Sequence, residues 1–363
     1  ESALDASVSG GNNTAIGKNA LTALTSGSQN VAVGTNALAA HTTSNNNAAV
    51  GFDALAANTT GTFNTAVGSD CLETITTSSN CTGVGSQALR LNTGASNTAL
   101  GAESLTANTS GASNTAIGDD ALKTNTTGIH NTALGKGALD SNTTGNHNVA
   151  LGSTSLSANT TGSQNIAIGQ DAFKTNTTGS NNVAIGGNAL DANTTASSNV
   201  AIGFAALTDN TTGTSNVAVG RAALGTNSTA SNNTGIGHNA LLSNTTGDRN
   251  VAVGSLALDA NTTANLNTAI GHASLGSNTT GFSNTSVGAI SLDANTTGNY
   301  NTGFGYETLS SNTTGSNNIA IGGSTLRDNT TASNNTAVGY LAMLNNTTGA
   351  NNVAIGVVAL DAN

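Results

Sequence analysis

Five histidines, two cysteines, one pair of adjacent aspartates and a long series of Asn-Thr-Thr triplets are the residues with which this sequence could do chemistry. Histidine and cysteine hold a transition metal when three or four of them converge at ligand spacing. His41, His130, His147, His238 and His272 are scattered along the chain, and no spacing gathers them, so they read as surface residues. Asp119 and Asp120 could divide acid and base work, but no partner base stands near them and no other stretch repeats the pair. Cys71 and Cys81 leave two readings open, a disulfide or two thiols that fill space, and the second is preferred. None of the glycine-containing stretches carries the Lys-Ser or Lys-Thr of a phosphate loop. No catalytic residue, cofactor site or metal site is therefore assigned. The Asn-Thr-Thr triplets, with Asn108-Thr109-Ser110 and Asn227-Ser228-Thr229, match the glycosylation acceptor pattern. They also suit tight turns, and that structural reading is preferred.

The triplets belong to a repeat, and the repeat is the organising fact. Glycines at 17, 34, 51, 68 and 85 begin a series that resumes at 101 and runs to 356, giving 21 copies. The spacing is 17 residues, with one step of 16 between Gly85 and Gly101, where a threonine is missing from the turn Asn92-Thr93-Gly94. Numbered from its first Asn, the consensus is N-[TV]-A-[IVL]-G-x-x-A-L-x-x-N-T-T-G-x-x. A period this strict marks a solenoid or array. Gly after the first apolar element and N-T-T-G after the second leave no room for long helices, while Thr, Val and Ile at positions 2 and 4 favour extended backbone. Two short strands per copy are predicted, N-T-A-I-G and x-x-A-L-x. The fold class is all-β: a β-solenoid or β-roll fibre of 21 coils of about 17 residues, extending over the single continuous array 1–363. At about 4.8 Å per rung the array predicts a rod on the order of 100 Å long.

Two columns are large and apolar. Position 4 is apolar in every copy, and position 9 is Leu in 19 copies, with Phe173 and Met343 as exceptions. Both are expected in the core: Ile16, Ile168, Ile185 and Ile202 from position 4, and Leu21, Phe173, Leu190 and Leu207 from position 9. Gly169, Gly186 and Gly203 at position 5 are expected at bends that a Cβ would obstruct. Asn165, Asn182 and Asn199 at position 1, and Asn176, Asn193 and Asn210 at position 12, are expected to stack and to hydrogen-bond to one another and to turn backbone. Position 3 is confined to Ala, Gly and Ser, so it lies against another layer, either the opposite wall of a thin coil or a neighbouring subunit. The subunit is preferred, with Ala167, Ala184 and Ala201 as interface residues.

Composition narrows the function classes. Charged residues are 7% of the chain against roughly a quarter in ordinary domains. The net charge of −10 opposes a nucleic-acid partner, whose phosphates need a basic track. No apolar run is long enough to insert in a membrane.

The unit running from Asn165-Ile166-Ala167-Ile168-Gly169 to Asn176-Thr177-Thr178-Gly179 resembles the repeats of phage tail-fibre proteins, particularly those with a C-terminal intramolecular chaperone. The element Asn182-Val183-Ala184-Ile185-Gly186 is similar to the head repeats of trimeric autotransporter adhesins, which are shorter. Both resemblances imply a homotrimeric fibre, on a virion tail or an extracellular surface. The expected role is a structural shaft that extends a host-recognition tip, the tip meeting a host glycan or receptor outside this chain. A cellular adhesin, an extracellular filament and, through threonine ladders, an ice-binding solenoid are the alternatives, and no enzyme is expected. The chain opens on half a coil, Ser2-Ala3-Leu4-Asp5-Ala6, and is expected to be a fragment of a longer fibre.

Overall fold

The computed structural model describes residues 3–4 and 8–361, and every regular element among them is a β-strand of three residues. The chain divides into two compact units, Glu1–Asn181 and Asn182–Asn363. The first holds ten strands, from β1 (Thr14–Ile16) to β10 (Ile166–Ile168). The second holds eleven, from β11 (Val183–Ile185) to β21 (Val353–Ile355). Within each unit successive strands pair in parallel with their repeat positions aligned, as in Thr14↔Val31 and Val200↔Val217. The strand β5 (Thr82–Val84) keeps that alignment with β6 (Thr98–Leu100) across the short coil, because the missing residue lies in the turn. Each copy is one coil of a β-solenoid.

Only one of the two expected strands forms. The A-L segment is a run of turns in which the position-9 side chain sits at φ between 51° and 58°. Such left-handed backbone costs an ordinary residue roughly 1–2 kcal/mol. Burial of a leucine returns about 1.5–3 kcal/mol. The coil therefore accepts the strain to carry the side chain inward: Leu21, Phe173, Leu190 and Leu207 are fully buried, as their column predicts.

Position 4 does the reverse of what its apolarity suggests. Ile16 is 60% exposed, Ile168 and Ile202 are 37% exposed, and Ile185 is half-buried. These four are not core residues. A strand alternates its faces, and the inward member is position 3, where Ala167, Ala184 and Ala201 are fully buried within the chain. They are not interface residues either. The wall they meet is the turn arm of the coil: a Cβ on Gly83 at position 3 would lie 2.6 Å from Cys71 Sγ and 3.6 Å from Leu72 Cδ1. The interior is one side chain thick there, which is why position 3 stays small.

Volume is traded across that gap at two places. Where position 8 grows from Ala to Cys71, the facing residue shrinks to Gly83, and Gly303 faces Ser291 and Thr308 in the same way. Gly83→Ala is expected to cost about 1–3 kcal/mol through overpacking. Cys71→Ala should restore most of it, so the double variant unfolds in denaturant close to the parent; additive losses would refute the pairing.

Candidate functional site

The residues that close each coil are asparagines. In the sixth copy the amide Nδ2 of Asn97, at position 1, donates to Gly111 O over 2.8 Å, and Asn108 Nδ2, at position 12, donates to the same oxygen over 2.7 Å. One carbonyl at position 15 thus fills both lone pairs from two side chains of its own coil. The pattern recurs with Asn131 and Asn142 on Gly145 O, and with Asn216 and Asn227 on Ala230 O.

Each amide also reaches an adjacent rung. Asn142 Nδ2 donates to Asn125 Oδ1 at 2.8 Å and Asn159 Nδ2 donates to Asn142 Oδ1 at 2.9 Å. At position 1 the backbone takes over: Asn216 N–H donates to Asn199 Oδ1 at 2.9 Å. Asn165, Asn182 and Asn199, with Asn176, Asn193 and Asn210, are completely buried members of these two ladders. The expected stacking is present, but inside the coil. Burial and use of Nδ2 leave the folded Asn-Thr-Thr triplets no free amide for a glycan. The first threonine of the triplet is also engaged between rungs, as Thr143 Oγ1 donates to Thr160 O at 3.0 Å.

Gly169, Gly186 and Gly203 lie at φ 129°, 131° and 132°, in the region that favours glycine. A Cβ on Gly203 would come within 2.6 Å of Gly220 O in the next coil, so the bend expected at position 5 is also a contact between rungs.

Four other residues occupy ladder positions: Leu24 and Ile75 at position 12, which are buried and donate nothing, and His41 and Cys81, which take over hydrogen bonds. His41 takes position 12 in the second copy and is fully buried, not a surface residue. Its Nε2 lies 2.9 Å from Ser44 O and its Nδ1 is 3.3 Å from Asn58 Nδ2. A neutral ring with the proton on Nε2 thereby copies an asparagine, donating to its own coil and accepting from the next. Desolvation holds its pKa below the usual 6.5, although the bond to Ser44 opposes this. Cys81 takes position 1 in the short coil: its N–H donates to Asn64 Oδ1 at 2.9 Å and its thiol to Gly94 O at 3.3 Å. Both cysteines are free and buried, and burial pushes Cys71 up to about 12, so neither is a reactive thiolate.

The remaining candidates disperse. Asp119 pairs with Lys136 at 3.1 Å and Asp120 with Lys123 at 3.0 Å, so each carboxylate answers its own lysine. His130 and His147 stack across adjacent rungs with centroids 4.9 Å apart, a proximity the linear spacing did not bring out. No group of three or more His, Cys, Asp or Glu suited to a metal, and no enclosed cavity, occurs among the described residues. Among the described residues no helix is long and apolar enough to cross a membrane.

One surface feature went unrecognised in the sequence. Positions 2 and 4 point outward from every strand, and across all 21 copies neither column holds a charge. Exposure at 37–47% is common along it, as at Leu100, Leu134, Ile166, Ile236, Ile270, Phe304 and Ile321. The flanking columns, position 17 before the strand and position 6 after it, are mostly polar and include Lys18, Asp119, Lys136, Arg221 and Arg249. The signal was present in the sequence as the absence of any Lys, Asp, Glu or Arg at two alternating positions. The chain matches no protein-family model and no curated protein.

Asn142→Leu should leave Asn159 Nδ2 with Gly162 O as its one acceptor, Asn125 Oδ1 without the Asn142 donor and Gly145 O with a single donor. Each buried group so stranded costs about 1–3 kcal/mol, and the loss is measurable by denaturant unfolding. A variant as stable as the parent would show that the ladder contributes nothing. For His41 the folded pKa is the lower one, so the unfolded chain binds its proton first as pH falls. Its contribution is present above the unfolded value of 6.5 and is lost as pH drops through the folded pKa. His41→Asn is expected to flatten the decline in thermal stability of the early coils below that pH; an unchanged pH profile would contradict it.

Proposed function

We propose that this chain is the shaft of a homotrimeric surface fibre, assembled through the outward columns at positions 2 and 4, which carries a host-recognition tip away from its base. The observation behind this reading is the uncharged, apolar outer face of an all-parallel ladder. Parallel sheets occur almost only with both faces covered. Alanine and leucine cover the inner face. The outer face has no cover within its own coil, and its polar margins have the layout of an interface rim. A second copy suits it well, because the stripe repeats at every rung and only a partner with the same rung spacing can follow it. The number three, and the place on a virion tail fibre or cell surface, rest on the resemblance to tail-fibre and adhesin-head repeats. The mechanism is mechanical: backbone ladders, buried asparagines and apolar columns resist bending, with no turnover assigned.

Light scattering of the chain is expected to give three times 35.1 kDa. Ile236→Lys and Ile270→Lys together should convert it to monomers that keep the parent's far-ultraviolet dichroism, since both side chains are exposed in the single chain. A monomeric parent, or a double variant that still assembles, would refute assembly through this face.

A further inference from the structure

A repeat that assembles on itself meets a difficulty its own coils do not. Each rung of the outer face offers nearly the same Thr, Val or Ile surface as the next, so copies displaced axially by one rung lose only one rung of contact. Register is weakly specified wherever a pairing surface is uniform. Such assemblies stay in register through an irregular residue placed once, as a single polar residue does in coiled coils.

The second unit contains one such irregularity. The row Tyr300-Asn301-Thr302-Gly303-Phe304-Gly305-Tyr306 presents Tyr300, Thr302, Phe304 and Tyr306 outward at alternating positions, and the three rings are 55%, 46% and 54% exposed. The whole chain has six Phe and three Tyr, so this row alone holds three of nine. It spans the full width of the face, with Tyr300 on the flank at position 17, Phe304 in the central column and Tyr306 on the flank at position 6. Phe304 is the only aromatic in a central column otherwise made of Val, Ile and Leu.

One flanking ring is packed against a neighbour. Phe282 meets Tyr300 edge to face, with centroids 5.1 Å apart and planes at 80°. Tyr340 lies over Gly323, the residue that follows Tyr306 in its column: a Cβ there would be 3.3 Å from the Tyr340 ring. Tyr300 is therefore held in an aromatic pair, and on the other margin Tyr340 returns an aromatic ring to the position-6 column two rungs beyond Tyr306.

We propose that the row 300–306 is the register key of the assembly, a girdle in which Tyr300 of one copy meets Tyr306 of the next and the Phe304 side chains meet at the centre. This rests on the self-association proposed above. In a closed ring of parallel copies the leading flank of one face adjoins the trailing flank of its neighbour, so positions 17 and 6 of one rung come together only in register. A slip of one rung sets Tyr306 against Ser283 or Asn317, and Phe304 against Val287 or Ile321. Aromatic pairs are then lost and a large ring is forced against a smaller, closely spaced column.

The test places a nitroxide on Thr246→Cys, an exposed turn position several rungs away, and reads distances between copies by pulsed dipolar spectroscopy. The two native thiols are buried and escape labelling. The parent assembly is expected to give one narrow distance. The variant Tyr300→Asn/Phe304→Ile/Tyr306→Ala carries residues of the neighbouring rungs' type and should remain assembled but show several distances, from copies displaced by multiples of about 4.8 Å. Ile236→Val, a change in the same face outside the row, should keep the single distance. If the triple variant also keeps one distance, or if it falls to folded monomers, the row is not a register key. A monomeric parent would overturn the assembly itself, which light scattering separates from the other outcomes.

Discussion

Everything in this fold depends on one carbonyl per coil. In most coils the backbone oxygen at position 15 is buried, cannot reach water, and accepts from two asparagine amides, as Gly145 O does from Asn131 and Asn142. Left unmatched, such a group would cost more than a typical bond contributes. The two amides that satisfy it also hold the rungs: Asn142 reaches Asn125 and is reached by Asn159. Closure of a coil and stacking of coils are thus performed by the same side chains. This explains the residue type. Aspartate lacks the donor, glutamine is one methylene too long for the same reach, and threonine cannot donate twice.

A polar seam inside a narrow coil leaves little room for an apolar core. One leucine per copy supplies the large side chain, and it enters from left-handed backbone. Glycine there would relieve the strain of roughly 1–2 kcal/mol. Removing a buried leucine leaves a cavity that costs about 2–5 kcal/mol. The larger figure decides for leucine. Opposite it the strand can carry only Ala, Gly or Ser, and the bulk that a conventional strand would bury is turned outward.

That inversion is why the fold was legible in the sequence and half of the core was not. Period, class, the bend at position 5 and the leucine column follow from spacing and residue type alone. Residue type alone places the isoleucines at position 4 inward, as large apolar side chains generally are, and leaves the alanines at position 3 against either the opposite wall or a neighbouring subunit. Alternation requires that 3 and 4 face opposite sides, but not which is inside. The choice depends on coil thickness, set by the asparagine seam and the leucine, and no local pattern states it. His41 was misplaced for a related reason: as a residue type it suggests a surface, whereas its place in the repeat, position 12, indicates the buried ladder.

Departures from the repeat show how differently the two faces are constrained. Inside the coil several departures are answered nearby, although Leu24 and Ile75 at position 12 leave Gly27 O and Ser78 O one asparagine donor each. Cys71 is matched by Gly83, His41 reproduces both bonds of an asparagine, and at the short coil Asn97 turns its amide to Asn92 Oδ1 at 3.0 Å, where Cys81 offers no side-chain oxygen. A sealed interior requires such compensation, since any unmatched volume or polar group is felt at once. On the outer face Phe304 replaces a β-branched residue and nothing in its own column shrinks to receive it, for Val287 and Ile321 stand on either side. A large apolar substitution without an intramolecular answer is stable in water only at a cost in exposed surface. In the assembly proposed above its counterpart is on a second copy of this chain, which presents the same ring at the same height.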